Sequence, residues 1–96
     1  MTAAESWLTR SSGPCGWTEL AGHRFELEGW ELFEGDAASP HLCQGWFRCT
    51  AEGFAPSANT GLRLNLTDRR GLDRVLDARI VRARTTDPEW EFRANQ

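Results

Sequence analysis

The run GLRLNLT at residues 61–67 constrains this chain more than any other feature. Leu62, Leu64 and Leu66 share one parity, and Arg63, Asn65 and Thr67 share the other. Strict alternation sends one row of side chains to a core and the other to solvent, which only an extended strand does. Three more stretches carry the same signal. In residues 23–33, Phe25 and Leu27 alternate with Glu26 and Glu28, then Trp30 and Leu32 continue on the opposite parity. Gly29 stands at that slip and predicts a β-bulge. In residues 41–51, Cys43, Phe47 and Cys49 share one parity, and Trp46 and Arg48 the other. In residues 89–93, Trp90 and Phe92 alternate with Glu91 and Arg93. With residues 79–84 read as a strand, the last stretch closes a C-terminal hairpin through the Thr85–Pro88 turn.

Two segments read as helical. Thr2 and Glu5 match a capping box, which predicts about two turns ahead of a loop at residues 11–16. In residues 68–78, Leu72, Val75 and Leu76 fall on one helical face and Arg69, Arg70, Asp73, Arg74 and Asp77 on the other. Continued further, that helix would bring Arg79 onto its apolar face, so it is expected to stop near Ala78. The expectation is therefore an α+β fold: a mainly antiparallel sheet of about five strands with one or two short helices, the sheet either open or closing as a half-open barrel.

Ninety-six residues suit one domain, 1–96. Five Trp and five Phe give a short chain an aromatic-heavy core. No run of about 20 apolar residues is present to cross a membrane, and the first ten residues lack a secretory pattern. The expected setting is cytoplasmic, with Cys15, Cys43 and Cys49 reduced. On one extended strand Cys43 and Cys49 would stand about 20 Å apart, beyond disulfide reach.

Charge is segregated along the chain. Residues 19–36 carry six acids against Arg24, and residues 62–84 carry seven arginines against three aspartates, although the whole chain is formally −3. All eleven basic residues are arginine, a usage that points to a GC-rich bacterial or phage genome. The arginine segment suits either an acidic protein surface or phosphates. It also suits internal pairing, as Arg69–Asp73 and Arg74–Asp77 along a helix or with the Glu-rich strand across a sheet.

Catalytic chemistry finds no support. Cys15 and the two histidines form no nucleophile motif, and no glycine loop is placed to cradle phosphate. Cys15, His23, His41, Cys43 and Cys49 supply zinc-ligand types, but without the paired knuckle spacing of zinc modules. No cofactor and no metal are expected. The expected function is non-enzymatic protein binding through an exposed sheet face, as in a small bacterial or phage accessory or inhibitor protein. The expected contact residues are Trp30, Trp46, Arg48, Arg69, Arg70 and Arg74. The alternatives are nucleic-acid binding through residues 69–84 and a small zinc-stabilised module; a homodimer is a further arrangement to consider.

Overall fold

The computed structural model describes residues 7–36, 42–84 and 88–95. These residues form eight strands and no helix: β1 (Trp7–Gly13), β2 (Cys15–Leu20), β3 (His23–Leu27), β4 (Gly29–Asp36), β5 (Leu42–Arg48), β6 (Gly61–Thr67), β7 (Asp73–Ala83) and β8 (Glu89–Asn95). The fold is all-β, which corrects the α+β expectation and its count of about five strands. All pairings are antiparallel, in the order β1-β4-β5-β8-β7-β6-β2-β3.

The first four strands are two halves of one long hairpin. Gly13 faces Trp30 at the end of the β1–β4 ladder, and Gly16 faces Leu27 where the β2–β3 ladder resumes. Both chains break at the same level, at Pro14 on one side and Glu28 on the other. Proline has no N–H to give a ladder. Leu27 and Trp30 both point inward, as do Gly13 and Gly16, so the slip expected at Gly29 is shared by both strands and makes a corner. Past this corner the outer edge of β4 pairs with β5, while that of β2 pairs with β6. The sheet thereby curls round until β4 meets β2 and β6 along a seam. Trp30 on β4 donates its indole N–H across that seam to the carbonyls of Cys15 (2.9 Å) and Thr67 (3.2 Å). Gly13 is needed here, because a Cβ would run into the Thr67 carbonyl and the Trp30 ring.

The interior holds the alternate residues of every wall: Leu32, Phe47, Leu64, Leu66, Ile80 and Phe92 are at most 1% exposed. Phe54, from the loop after β5, closes one end. Its ring packs edge-on against Phe25 at 5.0 Å, Phe47 at 5.8 Å and Trp90 at 5.6 Å. Cys43 and Cys49 are buried in the same interior, Cys15 is exposed, and none forms a disulfide. Burial pushes the Cys49 thiol above its ordinary range.

The expected helix over residues 68–78 is a turn followed by β7. Leu76, Ala78 and Ile80 enter the core, while Val75, Asp77 and Arg79 face out. Leu72 and Val75 are exposed at 59% and 57% and form no common buried face with Leu76. Beyond the β6–β7 turn, which Gly71 enters at φ +82°, the long-range ladders to β6 and β8 override the i, i+3, i+4 spacing. At the N-terminus, the Thr2–Glu5 capping box lies outside the described residues. The stretch read as a loop at 11–16 belongs to β1 and β2.

Candidate outer-face interface

Closing the sheet turns one row of each strand outward, and two parts of that outer surface carry aromatic rings. On β4, β5 and β8, Glu31 faces Trp46, and Trp46 faces Glu91. The Trp46 indole N–H donates to Glu31 Oε1 at 3.4 Å, and the Arg84 guanidinium lies 5.3 Å above the ring. Arg10 covers Phe33 at 5.6 Å and pairs with Glu31 at 2.5 Å. Arg82–Glu91 and Arg84–Glu89 follow, both at 3.6 Å. Each ring is capped by an arginine and each of these arginines meets a carboxylate.

The second part lies across β2, β6 and β7. Trp17, Asn65 and Val75 form one cross-strand row. The β2–β6 ladder ends at Trp17. Beyond it the buried Thr18 hydroxyl, at 2.9 Å, donates to the Arg63 carbonyl in place of a backbone bond. A groove of about 800 Å³ opens there, lined by Trp17, Glu19, Arg63, Val75, Asp77 and Arg79. Arg24 stacks on Trp17 at 4.3 Å and meets Glu26 at 3.1 Å. Arg63 pairs with Asp77 at 3.0 Å. The groove thus combines an indole and an open valine with charges of both signs.

The six residues expected to make contact do not converge. Trp30 is 3% exposed with its N–H engaged across the seam; it is a core residue and cannot present its ring to a partner. Trp46 and Arg48 point outward on β5, Trp46 half-buried and Arg48 exposed. Arg69 and Arg70 are exposed in the β6–β7 turn, Arg70 at 3.6 Å from Asp68. Arg74 points to the mouth of the barrel and makes a bidentate ion pair with Glu34 on the opposite wall. The pairs expected along a helix, Arg69–Asp73 and Arg74–Asp77, do not form; pairing with the Glu-rich strand does. Sequence reasoning missed the groove because Trp17 lies between the expected loop at 11–16 and the first expected strand, assigned to neither, and Val75 lies where a helix was expected. The phase of Trp17 between Gly16 and Thr18 was the signal available.

Among the described residues no three His, Cys, Asp or Glu side chains gather as a metal site; His41 lies outside them. No helix among them is long and apolar enough to cross a membrane. No protein family, no characterised protein and no solved structure matches this chain.

Proposed function

We propose that this protein is a non-enzymatic protein-binding module, and that it meets its partner through the outer-face groove between β2, β6 and β7. An accessory or inhibitory role, of the kind small bacterial or phage proteins fill, suits its size. One observation favours a protein over a nucleic acid. Of the seven arginines in residues 62–84, five are held in ion pairs with carboxylates: Arg63, Arg70, Arg74, Arg82 and Arg84. A phosphate-binding stripe needs those guanidiniums facing outward and unneutralised. The groove offers instead an indole beside an aliphatic side chain and both signs of charge, and tryptophan and arginine are residues enriched in interface hot spots.

The test is capture from a lysate of the source organism with the full chain and its Trp17→Ala variant as baits. A protein retained by the first and lost by the second is the expected result, with a loss of about 2–4 kcal/mol in binding and little change in melting temperature. Sub-micromolar, salt-sensitive binding of an oligonucleotide by the unaltered chain overturns the reading in favour of nucleic acid.

A further inference from the structure

Four of the eleven arginines meet no carboxylate among the described residues: Arg48, Arg69, Arg79 and Arg93. Two of these four are direct cross-strand neighbours. Arg79 on β7 faces Arg93 on β8, between the inward pairs Ala78–Ala94 and Ile80–Phe92. Both are exposed on the outer surface. Like charges directly opposite each other on a sheet repel and destabilise it. The strand arginines Arg10, Arg63, Arg74 and Arg82 each find a carboxylate on another strand. Arg79 finds the Asn59 carbonyl at 3.2 Å, and among the described residues Arg93 has no side-chain hydrogen bond or ion pair.

The doublet's direct neighbours in its row carry no charge. Gln44 on β5 faces Arg93 from one side, offering an amide donor. Gly61 on β6 faces Arg79 from the other. A Cβ at Gly61 would meet nothing within 4 Å, so the row ends in an open notch beside the guanidinium. Arg79 and Gly61 both line the groove that holds Trp17 and Val75.

We infer that the Arg79–Arg93 doublet, flanked by Gln44 and the Gly61 notch, is a carboxylate-binding site that selects an acidic protein segment for the adjoining groove. Guanidinium forks match carboxylates in bidentate geometry, and a bound anion would relieve the repulsion between the two arginines. Val75 and Arg79 lie four residues apart on one strand face, about 13 Å. An extended partner segment would therefore carry an acid about four residues from an apolar side chain. The inference rests on the groove reading above, and deepens it by naming the partner's charge.

The test uses hexaglutamate as probe, with thermal melts and fluorescence anisotropy on the full chain and on Arg79→Gln and Arg93→Gln. Without probe, Arg93→Gln should melt at a higher temperature than the unaltered chain, because the repulsion is gone. Hexaglutamate should bind the unaltered chain, raise its melting temperature, and lose affinity at least fivefold in either variant. Trp17→Ala should leave hexaglutamate binding intact, which separates failure of this site from failure of the groove. Overturning results are an Arg93→Gln melt at or below the original, equal probe binding by all variants, or an oligonucleotide of equal charge binding more tightly than hexaglutamate.

Discussion

Trp30 and Trp46 show how far a single residue's role depends on its phase. They lie on neighbouring strands, yet Trp30 is sealed in the core while Trp46 lies on the outer surface beneath Arg84. Trp30→Ala should cost about 3–5 kcal/mol of folding stability, since it leaves a cavity and orphans the Cys15 and Thr67 carbonyls. Trp46→Ala should cost about 1 kcal/mol, mostly the lost guanidinium stacking. Denaturant melts of the two variants check this, and equal losses would refute the division. The alternation within β5 and β6 was readable because each strand keeps one phase throughout. Trp30 was not, because the corner at Pro14 and Glu28 reverses inside and outside midway along the hairpin. Parity counted from Phe25 and Leu27 assigns Trp30 to the wrong face.

At the scale of the element, the β6–β7 turn carries the sharpest lesson. Asp68 accepts the backbone N–H groups of Arg70 at 2.8 Å and Leu72 at 3.0 Å. These bonds, the Leu72 one foremost, hold its carboxyl below the usual carboxylate range, and the Arg70 guanidinium adds to the effect. Its folded value is thus the lower one. The turn keeps its full stabilisation above the ordinary carboxylate value and loses it as pH falls through the depressed one. A carbon-detected titration should give Asp68 a midpoint below the ordinary aspartate value, and Asp68→Asn should remove the acid sensitivity of the Leu72 amide. An ordinary midpoint for Asp68 would refute the account. The sequence here, TDRRGLD, contains a turn acid and a glycine, but the apolar spacing that follows imitates a helix. Aspartate and glycine before a strand argue for a turn, and Val75 is β-branched; both signals were present and outweighed by three apolar residues at helical intervals.

For the whole molecule, one ion pair among the described residues joins the two segments into which charge is segregated. Arg74 and Glu34 come from the basic and acidic halves, 40 residues apart, and meet at the barrel's mouth. A double-mutant cycle on Arg74 and Glu34 should give a coupling of at least about 1 kcal/mol, against about 0.2–1 kcal/mol for the exposed Arg63–Asp77 pair. Equal couplings would mean the mouth contact contributes no more than a surface pair. Pairing of an arginine with the Glu-rich strand was among the readings composition allowed, whereas the curling of the sheet was not legible, because it depends on which edges meet and alternation is silent about that. The seam itself has a kinetic consequence. It joins residues near position 15 to residues near position 67, so its contacts can form only after a long loop has closed. Assembly of the seam should then be a late event in folding and its parting an early one in unfolding. The Trp30 indole proton, bonded across it, is a natural timekeeper: its exchange with solvent deuterium would record each opening of the barrel along the line where β4 meets β2 and β6.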